Sequence, residues 1–242
     1  MVYGRRKGRT MRPRRKALVN SLLPQIRIKV ESCEERSPLL NLEQIFRWDP
    51  KEVWLEIGFG AGEHLANLAQ INPKVGFIGC DPFLEGVGKL LSQIDSYNLN
   101  NIRIFPGDAR KLMPALPSSC LGKVLLLFPD PWPKYRHHKR RIVNQVFLDS
   151  VERILCNEGE FVVATDHEEY GNWILNQLLR HDAFCRAAHI TTDWTIRPEL
   201  GERTRMKIRR CGLAGIVTIY GFGNWILTEG CMIRRRGGSL NA

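Results

Sequence analysis

An α/β domain with a mainly parallel sheet and helices on both faces is predicted for this chain from three observations. Short apolar runs alternate with helical stretches from Val53 to Leu179. A glycine-rich turn joins the first run to the helix after it, and acidic residues stand just beyond the ends of successive runs. Such alternation calls for crossover helices, which cover a parallel sheet on both sides.

The first convincing strand is Val53 to Ile57, followed at once by Gly58-Phe59-Gly60-Ala61-Gly62 and a helix from about Glu63 to Gln70. Gly76 to Cys80 is the second strand and ends at Asp81; Glu85 to about Ser96 is helical; Ile102 to Phe105 is the third strand, with Asp108 just past it. Val124 to Phe128 makes a fourth strand, and Pro129, Pro131 and Pro133 then forbid regular structure. A helix over Asn144 to Leu155, a fifth strand over Glu160 to Ala164 ending at Thr165-Asp166, and a helix over Glu168 to Leu179 complete the alternation. Ile216 to Tyr220 reads as a late strand. Three regions follow. Residues 1–50 are a basic arm and an entry segment that packs loosely over the domain, residues 51–221 are the α/β domain, and residues 222–242 are a C-terminal tail.

With 242 residues and 43% apolar composition the chain can bury one good core. Its seven cysteines are scattered, odd in number and without a C-x-x-C pair, so neither a zinc site nor a disulfide framework is expected, and the compartment is reducing and cytoplasmic. No apolar segment approaches the ~18 residues that span a bilayer, so no membrane partner is expected. The net charge of +11 is clustered. Eight basic residues and no acidic ones lie between Arg5 and Lys16, five basic residues between Lys134 and Arg141, five between Arg203 and Arg210, and three at Arg234 to Arg236. Such clusters suit a polyanion, because each Lys or Arg that neutralises a phosphate releases a counterion. No stripe of large apolar residues accompanies the charge, which favours nucleic acid over a membrane surface. For the first cluster a solubilising tail or an organellar transit sequence are the competing readings.

The glycine loop is spaced G-x-G-x-G, whereas a dinucleotide loop is spaced G-x-G-x-x-G. Glu56 stands just before it, where a carboxylate opposes a pyrophosphate but accepts hydrogen bonds from an ammonium group. A ligand with an amino acid end and an adenosine end, such as S-adenosyl-L-methionine, fits that charge better than a nicotinamide dinucleotide does. Asp81 is placed for ribose hydroxyls and Asp108 for an adenine amino group. Asp130 and Asp166, at the fourth and fifth strand ends, face an acceptor from the same edge, and carboxylates pair with the N1 and N2 donors of guanine. Trp132 stacks on a base or plugs the core. His137 and His138 lack companions at metal-ligand spacing, so no metal is expected.

These residues resemble a known family. Leu55-Glu56-Ile57-Gly58-Phe59-Gly60, Gly107-Asp108-Ala109, Phe128-Pro129-Asp130-Pro131-Trp132-Pro133-Lys134, Arg136-His137-His138-Lys139-Arg140-Arg141 and Ala164-Thr165-Asp166 are similar to the motif series of the bacterial tRNA (guanine-N7-)-methyltransferases. The resemblance implies a Rossmann-like class I methyltransferase domain: a mainly parallel seven-stranded sheet with an antiparallel last strand. It implies transfer of the methyl group of S-adenosyl-L-methionine to N7 of a guanosine in tRNA, at position 46 of the variable loop, by a monomer or homodimer. It implies cofactor contacts at Glu56, Gly58, Gly60, Gly62, Asp81, Asp108, Ala109 and Asp130, with Asp130 also catalytic. Substrate contacts are implied at Lys134, Asp166, Thr204 and Arg205, and RNA contacts at Arg136, His137, His138, Lys139, Arg140 and Arg141. One departure stands out. The family's Thr-x-aromatic-Glu is Thr204-Arg205-Met206-Lys207 here, so Lys207 reverses a charge that Glu199 or Glu202 would have to restore.

Three rival readings share parts of this pattern: an amino-methyltransferase acting on DNA or RNA, whose Asp/Asn-Pro-Pro-aromatic order differs from Asp130-Pro131-Trp132-Pro133; a catalytically silent RNA-binding protein; and a nicotinamide-dependent oxidoreductase, which Glu56 disfavours.

Overall fold

The computed structural model describes residues 11–30, 39–181, 183–191, 203–210, 216–222, 225–228 and 232–235, and beyond Phe184 the description is of the backbone. The entry segment holds α1 (Pro13–Ser21), α2 (Leu23–Ile26) and α3 (Leu42–Phe46). The alternating region follows as β1 (Glu52–Ile57), α4 (Glu63–Ile71), β2 (Val75–Cys80), α5 (Leu84–Tyr97), β3 (Ile102–Phe105), α6 (Ala109–Leu112), β4 (Leu121–Leu127), α7 (Gln145–Ile154), β5 (Leu155–Thr165) and α8 (Glu168–Leu179). Then come β6 (Phe184–Thr191), β7 (Arg203–Arg210) and β8 (Ile216–Phe222), with β9 (Trp225–Thr228) and β10 (Met232–Arg235) as a separate antiparallel pair inside the expected tail.

Sheet order is β3-β2-β1-β4-β5-β8-β7-β6, and all pairings from β3 across to β8 are parallel. The chain winds outward from β1 through β2 to β3, then restarts on the other side at β4. That reversal opens a crevice at the carboxyl ends of β1 and β4, where open α/β sheets bind ligands.

Two side-chain sets divide at the sheet, as the two-residue strand period dictates. Val53, Leu55 and Ile57 of β1 join a core with Phe147, Val151, Tyr170 and Ile174 from α7 and α8. Phe77 of β2 joins Leu65, Val87, Leu90 and Ile94 from α4 and α5 on the opposite face. Each such side chain, nearly all of it removed from water, contributes about 1.5–3 kcal/mol.

The far edge corrects the expectation of seven strands with an antiparallel last one. Among the described residues the main sheet has eight strands, and β8 lies parallel to β5. The antiparallel member is β7, paired with β6 on one side and β8 on the other. Short connections explain this: the segment joining β7 to β8 is too brief for a crossover, so the two must be antiparallel neighbours.

The entry segment packs more closely than its prolines imply. Leu23, Ile28 and Phe46 are buried, and the Ile28 amide donates to the Ile104 carbonyl at the β3 edge. Buried Arg103 donates to the carbonyls of Ile45 and Phe46 at the end of α3, both at 2.6 Å, satisfying acceptors that a helix end leaves open. On α1, Arg14 and Arg15 pair with Asp95 and Glu85 of α5. The part of the arm preceding Met11, with Arg5 to Arg9, lies outside the described residues.

Candidate active site

The glycine loop after β1 has left-handed backbone at Gly58 (φ 77°), Gly60 (φ 56°) and Gly62 (φ 77°), a region that side chains disfavour. Gly62 then caps α4. The loop is tied to β2 through Asp81, whose Oδ2 accepts from the Gly60 amide at 2.9 Å and whose Oδ1 accepts from the Phe83 amide at 2.7 Å. Burial pushes the Asp81 carboxyl above its ordinary value; the two amides pull it down, and the nearby charges of Asp130 and Glu56 push it up again. Glu56 is 3% exposed and meets one described partner, the Nδ1 of His64 on the first turn of α4, at 3.0 Å.

Asp108 caps α6 and is gripped by Arg110. Its Oδ1 accepts from the backbone and Nε of Arg110 at 2.9 Å each, and its Oδ2 from Nη2 at 2.6 Å. Burial raises the Asp108 carboxyl, but these charge-assisted bonds outweigh it and hold the group below its ordinary value.

At the end of β4 the chain turns through two left-handed non-glycine residues, Phe128 (φ 50°) and Trp132 (φ 45°). Backbone of this kind persists where the surroundings over-determine it. The Phe128 amide donates to Ala164 on β5, and the guanidinium of Arg140 lies 4.9 Å from the centre of the Trp132 ring. A 3-10 turn over Tyr135–Arg140 follows, which presents Lys134, Tyr135, Arg136 and Lys139 to solvent and leaves His137, His138 and Arg140 half-buried. Partial desolvation keeps the His137 imidazole below its usual value, and the surrounding cations Arg140, Arg136, Lys134 and Lys139 lower it further.

A cleft of about 280 Å³ brings together Gly58, Asp81, Asp108, Ala109, Asp130 and Arg140 from the expected set. Trp132 lines it too, together with Arg110 and Cys80, which the sequence reading missed. Nothing in the spacing of Arg110 signalled its role, because one arginine after an acidic cap is indistinguishable from a solvated one. Glu56, Gly60 and Gly62 are not among the residues that line the cleft; Glu56 and Gly62 are buried and Gly60 is exposed. Lys134 and Asp166 are exposed and do not line it. Thr204 pairs with Gly221, which pairs with Thr165, so the register sets Thr204 at the same sheet edge as Asp166. Arg205 is next along β7, and Glu199 and Glu202 lie outside the described residues.

Arg141 corrects the expected RNA contacts. It is 2% exposed, and its guanidinium donates inside the protein, to the Pro131 carbonyl and to Glu169, rather than facing solvent.

Among the described residues, no cluster of three His, Cys, Asp or Glu side chains is placed to hold a metal ion, and no helix is long and apolar enough to cross a membrane.

Residues 50–208 match a family model described as "Putative methyltransferase". A tRNA (guanine-N(7)-)-methyltransferase of Rhodospirillum rubrum is 42% identical over 215 residues, covering 86% of this chain and 81% of that protein. The enzymes of the same name from Paramagnetospirillum magneticum and Zymomonas mobilis are 45% identical over 184 residues and 41% over 204, covering 75% and 84% of this chain and 76% and 85% of theirs. The chain belongs to the tRNA (guanine-N7-)-methyltransferase family. Within that family's motif series, Phe128 to Lys134 forms the left-handed turn at the cleft, and Arg136 to Arg141 divides into solvent-facing Arg136 and Lys139, half-buried His137, His138 and Arg140, and buried Arg141.

Proposed function

We propose that this chain methylates N7 of guanosine in tRNA with S-adenosyl-L-methionine as methyl donor, in the cytoplasm, at variable-loop position 46. The observation that carries this reading is the convergence of Asp81, Asp108 and Asp130 on one cleft whose wall runs directly into the cationic turn of residues 134–140.

The residues suit the donor. Their acidic side chains accept hydrogen bonds and favour a cationic ligand, whereas a pyrophosphate would meet Glu56, Asp81 and Asp130 as like charges. Glu56 and the loop of Gly58, Gly60 and Gly62 would hold the amino acid end, Asp81 the ribose, and Asp108 with Ala109 the adenine. When bound, S-adenosyl-L-methionine supplies an electrophilic methyl group. N7 of guanine carries a lone pair and no proton, so the protein need not provide a strong base. Its task is to align the base and to offset the positive charge the ring acquires. Asp130 provides that negative potential and also borders the cofactor. Asp166 orients the guanine edge; Lys134, Thr204 and Arg205 hold the nucleotide; Arg136, His137, His138, Lys139 and Arg140 follow the phosphates.

Incubating the purified protein with S-adenosyl-L-methionine and unmodified tRNA, then digesting the RNA for mass spectrometry against a 7-methylguanosine standard, tests the reading. Asp130→Asn is expected to lower kcat by about 10²–10³, the loss typical of one charge-stabilising group. Near-normal turnover by that variant with cofactor binding intact would remove Asp130 from its role. If cofactor and tRNA bind but no methylated nucleoside forms, the chain is a silent RNA-binding member, the outcome that Lys207 in place of the family's Glu favours.

A further inference from the structure

We propose that Arg141 is a positioning residue that clamps the Asp130-bearing turn onto the first turn of α8, and thereby sets the separation of Asp130 and Asp166. This rests on the proposed function for its kinetic readout only.

The Arg141 side chain is 1% exposed. Its Nε donates to the Pro131 carbonyl at 2.9 Å, and Nη2 donates to Oε1 of Glu169 at 2.8 Å. The guanidinium carbon lies 5.2 Å from the Tyr170 ring centre and 5.0 Å from that of Trp173, two α8 aromatics. Burying a guanidinium is costly, and a hydrophobic side chain of similar size would fill the space as well or better. What a hydrophobic side chain lacks is the pair of directed bonds, one to each side of the site.

Both ends of the clamp are stiff. Asp130 lies between Pro129 and Pro131, and Trp132 is held in a left-handed conformation, so fixing the Pro131 carbonyl fixes Asp130. On the other side the Thr165 hydroxyl accepts from the His167 amide, and the His167 ring accepts from the Tyr170 amide. That makes Asp166, three residues before Glu169, part of one rigid cap on α8. Arg141 is therefore the buried link between the ends of β4 and β5. Removing one of its two bonds frees one end without emptying the space.

The test compares Arg141→Lys and Glu169→Ala with Lys139→Ala, a solvent-facing control. Both clamp variants are expected to lose kcat about tenfold or more while the KM for tRNA and its salt dependence stay within about twofold of wild type, as misplacement of reacting groups predicts. Lys139→Ala is expected to do the reverse, raising KM and flattening the salt dependence. The double variant Arg141→Lys/Glu169→Ala should lose no more than the worse single one, because both break the same link. Hydrogen exchange supplies a readout independent of catalysis: amides of residues 128–134 and 166–170 should exchange faster together in Arg141→Lys, with β1 to β3 unchanged. A raised KM with unchanged kcat would make Arg141 an RNA contact. A lowered melting temperature with unchanged kcat and unchanged exchange in both segments would reduce it to a packing residue. If wild type itself forms no 7-methylguanosine, the proposed function fails and the exchange experiment alone decides the clamp.

Discussion

Asp108 and Arg110 illustrate how two adjacent forces on one carboxyl are decided. Burial raises its pKa and the Arg110 bonds lower it, and the bonds prevail, so the folded value lies below the ordinary 3.8. An acid depressed by folding contributes stability above its unfolded pKa and loses that contribution as the pH falls towards its folded value. In Arg110→Gln the backbone amide of residue 110 still pulls the carboxyl down, but the guanidinium's bonds and charge no longer oppose burial. The melting temperature of wild type should therefore exceed that of the variant most at neutral pH, and the gap should shrink as the pH is lowered through the carboxylate range. Thermal melts across that range check it, and a gap independent of pH would mean that the pair does not act through ionisation. Because Arg110 already occupies the acceptors meant for adenine, the same variant reports by calorimetry whether cofactor affinity rises when that competitor is removed.

At the scale of elements, the glycine loop and α5 form one unit. A Cβ on Gly86 would collide with the carbonyl oxygen of Gly60 in the loop. Replacing a helical glycine by alanine normally gains up to about 1 kcal/mol, whereas forcing atoms into a packed contact costs about 1–3 kcal/mol. Overpacking should win. Gly86→Ala is expected to lower the melting temperature and to weaken cofactor binding, since the displaced Gly60 amide is the one that Asp81 holds. A stabilised variant with normal affinity would show that the loop gives way freely. Helix α1 is the contrasting element: no residue of it is buried, and its attachment relies on the ion pairs to α5 and on half-buried Leu18 and Val19. Exposed pairs of the Arg14–Asp95 kind contribute about 0–1 kcal/mol, so the helix is held chiefly by the apolar contacts.

For the whole molecule, charge separates the two ligands. A chain of net charge +11 with outward-facing Lys134, Arg136 and Lys139 should bind tRNA with an affinity that falls linearly in log–log form as salt rises, while affinity for a small cofactor in an acid-lined cleft changes little. Titrations at several salt concentrations decide this, and a flat response for RNA would remove a polyanion as the partner. The order of strands and helices from β1 to α8, short α6 apart, is legible because period and punctuation are local: the expected helix Glu168 to Leu179 has the observed bounds, and the expected strand Val53 to Ile57 lacks only Glu52. The site was legible in part. Acids at strand ends and a glycine turn are set by chain direction, which places Asp81, Asp108 and Asp130 on one edge before any packing is known. The pairing of β6, β7 and β8 was not legible, because it depends on which edge a short connection lets the chain reach. Nor was Arg141. In the sequence it is the last of a cationic run and looks like its neighbours, and only the packing of α8 against the turn turns it inward. Sequence by itself determined which chemical groups stand at the mouth of the sheet, because strand period and chain direction are local properties. Tertiary structure alone decided which of them face solvent and which are locked, because burial depends on partners distant in the chain.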